Sequence, residues 1–425
     1  CAMDLLGPDY RYKTKLKAYG TIGGGKLKGN VYVEPSEDPS LRTAELKELL
    51  EVLLQKGIKT IDGKIDTVGI QGGGDRFVTS WLAEDWGQDW MPPSSDLVLD
   101  DNIARRDPAR GYPLVTMTSG PEQNALVSSL LHSQFGPAWI CFNPAKQVME
   151  FWHPEGPLVG GQLVGNPEQY NLAAIRAMTK ALGVKVHGKN MQAVLSEPPT
   201  ILGEHCSRPL AEIIKKCLKE SDNLYAQQLL RTIGAQPVLN KNLEKSTLED
   251  RGLGQMYNRL STISVPRQDV VLFDGCGLSR KNCFTPHALN LVHKHMAGAQ
   301  LKSAYLEVMP FDGPAGATVG TFRFKTGAMD SVRCITGVVV TAAAEPLAVT
   351  VMINAHNPSV RELRSSIGSL IDHLQSLGSL RFASPAVIAP KAAPKVHKKP
   401  QPAKSHKRTQ AAPAATKQKK RRPRR

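Results

Sequence analysis

Between Tyr10 and Val33 apolar and polar positions alternate around Gly20, Gly23, Gly24, Gly25 and Gly29, a period of two that predicts antiparallel strands joined by glycine turns. The period then changes. Leu46, Leu49, Leu50, Leu53 and Leu54 recur at helical spacing, Gly57 can supply a left-handed cap, and Ile58-Lys59-Thr60-Ile61 reads as the strand that follows. The same order returns with Leu172, Ile175, Met178 and Leu182, then Gly183, then Val184-Lys185-Val186. Helix, glycine, strand is too common an order to establish a duplication. From about 62 to 165 the text is rich in Gly, Pro, Trp and Asp with short strand-like runs such as Leu158 to Val164, which predicts a loop-heavy accessory region.

From His205 onward the pattern sharpens. A helix starts near Ser207-Arg208-Pro209, turns Ile213, Ile214, Cys217 and Leu218 inward and stops at Ser221-Asp222-Asn223; a second resumes with Leu224, Tyr225, Gln228 and Leu229. Phe322 to Gly327, Ile335 to Thr341 and Leu347 to Asn354 read as three successive strands of an antiparallel sheet. Ser359-x-x-Glu362 is a capping box ahead of Val360, Leu363, Ile367, Leu370, Ile371, Leu374 and Leu377, with Gly378 as the stop, so an amphipathic helix should pack on that sheet.

Composition changes the picture at one end only. The chain of 425 residues carries a formal charge of +16, but 14 of its 54 cationic residues fall between Ala386 and Arg425, where there is no acid, leaving 40 against 38 acids elsewhere. That Ala, Pro, Lys and Arg segment has almost no large apolar residue and is expected to be a disordered basic tail. It lacks aromatic residues for base stacking, so no specific nucleic-acid partner is expected, and an electrostatic anchor to an anionic envelope polymer is the role that fits. No apolar run reaches the roughly 18 to 20 residues of a membrane helix, so no transmembrane segment is expected and the body reads as soluble. The seven cysteines are odd in number, spread out and without a C-x-x-C pair, which points to mostly buried thiols.

Most chemical motifs fail on inspection. Gly20 to Lys26 fits the first seven positions of a phosphate-binding loop, but Leu27 stands where a hydroxyl must hold magnesium, and the flanks alternate like strands. A glycine-rich hairpin is the better account. His293 and His295 face opposite sides of a helix, and there is no HExxH, so no metal site and no cofactor are expected. Asp100-Asp101-Asn102 reads as a solvated turn.

Ser221-Asp222-Asn223 and, about a hundred residues later, Lys325-Thr326-Gly327 are different, because they match two parts of the signature S-x-x-K, S-D-N, K-T-G of penicillin-reactive serine enzymes. Their placement is consistent: one lies on a turn between helices, the other on a strand. The chain resembles the penicillin-binding proteins of the D-alanyl-D-alanine carboxypeptidase and endopeptidase type, specifically the class C, type-4 members with a large insert. Leu5-Leu6-Gly7-Pro8-Asp9-Tyr10-Arg11 resembles the segment after the family's nucleophile helix, and Gly29 to Val33 with Asp38-Pro39-Ser40-Leu41 resembles the start of its insert, Glu37 replacing the usual glycine. Asp274-Gly275-Cys276-Gly277-Leu278-Ser279-Arg280 resembles its D-G-S-G-L-S-R element, with Cys276 for serine. No serine in the chain has a lysine three residues on; in the family that motif lies just ahead of the segment matching Cys1, and the N-terminus is therefore expected to be missing.

The resemblance implies an α/β (α+β) architecture, a penicillin-binding-protein or β-lactamase-like transpeptidase fold with an antiparallel sheet flanked by helices. Residues 1–20 and 205–380 would form the catalytic domain, 21–204 inserted accessory domains, and 386–425 the tail. It implies attack by a serine on the penultimate D-alanine carbonyl of a peptidoglycan stem peptide, forming an acyl-enzyme. Ser221 would relay a proton to the leaving amine, Asn223 would hold the acyl-side amide, and Lys325 would supply positive charge. Thr326 would donate a hydrogen bond, Gly327 would leave room for substrate, and the Ala328 NH would be one oxyanion donor. Stem peptides, and β-lactams as inhibitors where an upstream serine exists, are the implied partners, and the periplasm or cell envelope the implied location. The rival reading is an inactive homologue that binds stem peptides or scaffolds wall enzymes.

Overall fold

The alternation from Tyr10 to Val33 is realised as a hairpin, strands Lys13–Gly23 and Lys26–Glu34, turning at Gly24 and Gly25 with φ of 57° and 77°. The computed structural model describes residues 1–68, 78–82, 85, 88, 90–91, 93–105, 139–143, 148–152, 161–163, 167–189, 198–237, 246–298, 301–312, 320–355 and 359–378. Gly20 and Gly29 face each other across the hairpin, and a Cβ on Gly29 would lie 1.8 Å from the Tyr19 carbonyl oxygen. Close strand contact explains these glycines, with no phosphate cradle needed.

Strand Thr200–Cys206 pairs antiparallel with Lys13–Gly23, while Thr60–Ile61, Ile65–Thr67 and Lys185–Val186 extend the sheet in parallel from the other side. The two helix, glycine, strand units are thus Thr43–Gln55 with Gly57 and Pro167–Ala181 with Gly183, both glycines left-handed, their strands side by side. Leu16, Val31, Leu46, Leu50, Ile61 and Ile175 build the core between this sheet and its helices. Leu54, grouped with the helix's apolar set, is instead exposed. Ala18 lies opposite Thr200, so the start and end of the 21–204 segment adjoin neighbouring, paired strands.

The second sheet runs Phe311–Asp312, Thr321–Met329, Val332–Val340 and Pro346–Asn354, antiparallel throughout. Helix Val360–Ser376, held by the Ser359 and Glu362 capping box, covers one face with Ile371 against Phe322, Val339 and Val349. Its stop is Leu377 in an extended conformation, in place of the left-handed Gly378 expected. Helix Pro286–Gly298 covers the other face.

Two further expectations change. Asp100-Asp101-Asn102 is no solvated turn: all three have positive φ, Asp100 accepts from the Thr43 NH, Asp101 pairs with Arg42, and the buried Asn102 amide donates to the Pro93 carbonyl. Of the described cysteines, all free, only Cys217 is buried and Cys206 and Cys283 are exposed, so the thiols are not mostly buried. Of the run Leu158 to Val164, Gly161–Leu163 forms a strand and the rest lies outside the described residues, as does the basic tail. Among the described residues no helix is long and apolar enough to cross a membrane.

Candidate active site

Helix Leu210–Glu220 ends because Ser221 adopts the left-handed conformation, φ 57° and ψ 45°, which turns the chain out of the helix. Asp222 then caps the next helix, Asn223–Gly234, its side chain accepting from the Tyr225 NH at 3.1 Å. The middle residue of the tripeptide therefore shapes the turn, and the outer two project from it. A non-glycine residue in this conformation costs of order 1 kcal/mol, a strain retained where position matters. Cys217 packs beneath the turn, and burial pushes its thiol up to about 12, so it serves as a neutral apolar support.

Strand Thr321–Met329 brings the second tripeptide to the turn. Lys325 Nζ donates to Ser221 Oγ at 2.7 Å and to the Thr326 carbonyl at 2.6 Å, joining residues 104 apart in the chain. Partial burial holds the Lys325 ammonium below the ordinary lysine value. With its oxygen occupied by this donor, the Ser221 hydroxyl turns its own hydrogen away from Lys325. Asn223 lies one residue further round, its amide donating to the Trp90 carbonyl at 2.7 Å, so a loop of the 21–204 segment reaches the rim of the turn.

The edge of this strand is open where the motif lies. Its outer neighbour Phe311–Asp312 pairs only with Phe322 and Arg323. The Phe324 NH points outward to the Pro310 carbonyl, so by strand alternation the NH groups of Thr326 and Ala328 face the same outer edge. Thr326, Gly327 and Ala328 are all exposed. A Cβ on Gly327 would meet only Cys334 Cβ at 3.9 Å, so nothing inside the described protein demands glycine there.

Two supports were not legible in the sequence. Thr336, directly across from Lys325, meets His293 Nε2 at 2.7 Å, and His293 Nδ1 meets the Tyr305 hydroxyl at 2.7 Å. Thr350 continues this line to Asn290, tying the strand behind Lys325 to helix Pro286–Gly298. Burial drives the His293 imidazole down to about 4 and keeps it neutral. Asp274, at the head of the D-G-C-G element, accepts from the NH groups of Gly277 and Ser279, from Asn282 and from Trp81 Nε1, fixing that loop at the base of the helices.

An apolar cavity of about 370 Å³ lies between Met3, Ile214, Leu230, Met256 and Val308. Neither Ser221 nor Lys325 lines it. Among the described residues no group of three His, Cys, Asp or Glu could hold a metal ion.

The D-Ala-D-Ala carboxypeptidase 3 (S13) family matches residues 1–128 and 159–374. The D-alanyl-D-alanine carboxypeptidase DacB of Haemophilus influenzae is 24% identical over 410 residues, 88% of this chain and 81% of that protein. A D-alanyl-D-alanine carboxypeptidase of an Actinomadura species is 24% identical over 390 residues, 84% of this chain and 71% of that one. The crystal structure of Haemophilus influenzae penicillin binding protein 4 superposes with a TM-score of 0.68 at 21% identity, covering 88% of each chain, which shows the fold. A second structure of that protein, complexed with a β-lactam, gives 0.65 over the same coverage at 21% identity.

Proposed function

This chain belongs to the D-Ala-D-Ala carboxypeptidase 3 (S13) family, serine-type peptidases of peptidoglycan metabolism, and on that premise we propose that Ser221, Asn223 and Lys325 are its catalytic residues, with Thr326, Gly327 and Ala328 binding substrate. The observation that carries this reading is the 2.7 Å bond from Lys325 to Ser221. It aligns a cation and a hydroxyl on the open edge of a strand.

The chemistry follows from the parts. A stem peptide laid along the free edge of Lys325 to Met329 adds a strand, with the side chain omitted at Gly327 to admit it. The Ala328 NH, facing outward, donates to the carbonyl oxygen as it gains charge. Lys325 offers its ammonium to the terminal carboxylate, with the Thr326 hydroxyl beside it. The Ser221 hydroxyl gives its proton to the leaving amine and draws a replacement through Lys325. Asn223 exchanges the Trp90 carbonyl for the amide on the acyl side. The acylated serine and its lysine partner are not among the residues of this chain, which contains no S-x-x-K. We assign 21–204 as an accessory insert, carboxypeptidase or endopeptidase action on stem peptides in the periplasm, and acylation by β-lactams.

The test is release of D-alanine from a peptide ending in D-Ala-D-Ala by the native protein. Ser221→Ala and Lys325→Ala should each lower kcat/KM by about 10²- to 10³-fold, the range for removing one preorganised polar group. Undiminished release by either variant contradicts the assignment.

A further inference from the structure

The six-stranded sheet has two unlike faces. Leu16, Ala18, Leu27, Val31 and Val33 point inward and are buried. The intervening positions point outward by strand alternation, and they carry Lys13, Lys15 and Lys17 on one strand, Lys26 and Lys28 on its hairpin partner, and Lys185 on the far strand. Thr60 sits between Lys26 and Lys185 in the register, so these lysines share one face.

The acids on that face do not match them in number. Glu34 serves both Lys15 and Lys17, Glu204 serves Lys13, Asp62 serves Lys26 and faces His187 as well, and Asp66, in register with Tyr32, serves Lys64. Lys28 and Lys185 are exposed and have no ion-pair partner among the described residues. Further along the face Tyr19 and Tyr32 meet edge to face with ring centroids 5.5 Å apart, and Lys64 lies over the Tyr32 ring. The result is a cationic face about 20 Å across, from the four spacings between its five side-by-side strands, with an aromatic pair on it. Its one large exposed aliphatic side chain among the described residues is Ile201, which gives a lipid bilayer little to hold.

We propose that this face binds a polysaccharide strand bearing carboxylates at intervals, holding the protein on polymeric substrate while the cleft works on its peptides. The lysines meet the carboxylates, and the tyrosine edge offers a sugar ring a flat apolar contact. Charge complementarity and the extended shape of the face select an extended polyanion. The choice of a wall polysaccharide among polyanions rests on the function proposed above.

The experiment is co-sedimentation of the full chain with insoluble peptidoglycan at low and high salt, beside binding to duplex DNA. The triple variant Lys13→Gln, Lys28→Gln, Lys185→Gln should bind peptidoglycan at least about tenfold more weakly at low salt, with a shallower salt dependence because fewer counterions are released. Its thermal midpoint should be unchanged. Should the triple variant unfold, Lys28→Glu alone, at an exposed position near the hairpin turn, should still weaken binding about threefold. Binding within twofold of the parent overturns the proposal, as does binding to DNA as tight as to peptidoglycan and equally weakened. The cleft variant Lys325→Ala must bind as tightly as the parent even where it is silent in catalysis; loss of binding there would place the polymer in the cleft instead.

Discussion

At Gly327 the protein leaves space that nothing in its own described structure occupies. Gly275 and Gly20 differ: a Cβ at Gly275 would press on Leu230 Cβ at 2.7 Å, and one at Gly20 on the Lys28 carbonyl oxygen at 2.2 Å. Gly327→Ala should therefore leave the unfolding free energy within about 0.5 kcal/mol of the parent while lowering kcat/KM on a D-Ala-D-Ala peptide roughly 10- to 100-fold, the effect of one ill-placed methyl group. Unfolding assays and turnover on the same sample check the separation; a drop in stability with activity kept would make the glycine structural. Ser221, Asn223 and Lys325 were legible because short tripeptides at a fixed order name them. The Trp90 carbonyl on Asn223 was not, since its backbone atom leaves no residue signature and lies 133 positions away.

At the scale of elements, most of the pattern was readable because alternation and helical spacing register burial directly. The helix ends were harder. Ser221 at a left-handed C-cap and Asp222 as the following N-cap follow from capping chemistry, whereas Leu377 ends its helix in an extended conformation that Gly378 does not announce. The line of contacts from Tyr305 through His293 to Thr336 and Thr350 joins two helices and two strands, so no single element's sequence displays it. Its consequence is a pH dependence. The imidazole titrates near 6.5 when unfolded and near 4 in the fold, so the unfolded chain binds a proton first as pH falls. The neutral histidine's contribution is complete above about pH 6.5 and declines towards pH 4, up to about 3 kcal/mol in all. His293→Gln should flatten the stability curve over that window in denaturant titrations; an unchanged slope would show that the histidine is not held neutral.

Across the whole molecule, one cluster ties the 21–204 segment to helices Asn223–Gly234 and Leu248–Thr262. Arg231, 2% exposed, donates to Glu37 through both ends of its guanidinium fork, to Asp96 and to Glu249 at 2.6 Å. Glu37 has a φ of 64°, the conformation a glycine would adopt freely. The ion pair offsets that strain. Removing the cation leaves buried carboxylates unpaired, so Arg231→Leu should destabilise the protein by about 3 to 5 kcal/mol in equilibrium unfolding. A loss below about 1 kcal/mol would contradict the reading of the cluster as the seam. Pairs 194 residues apart cannot be seen in a linear pattern, which is why the seam was absent from the sequence reading.

The central claim is that the Ser221 turn and the Lys325 strand form half of a penicillin-reactive serine site. The most direct measurement is incubation of the native protein with a fluorescent penicillin, followed by denaturation and a count of label that stays attached. The account predicts stoichiometric covalent label, slowed by about 10²-fold or more in Lys325→Ala. A folded native protein that retains no label would contradict it and leave the cleft a binding site for stem peptides.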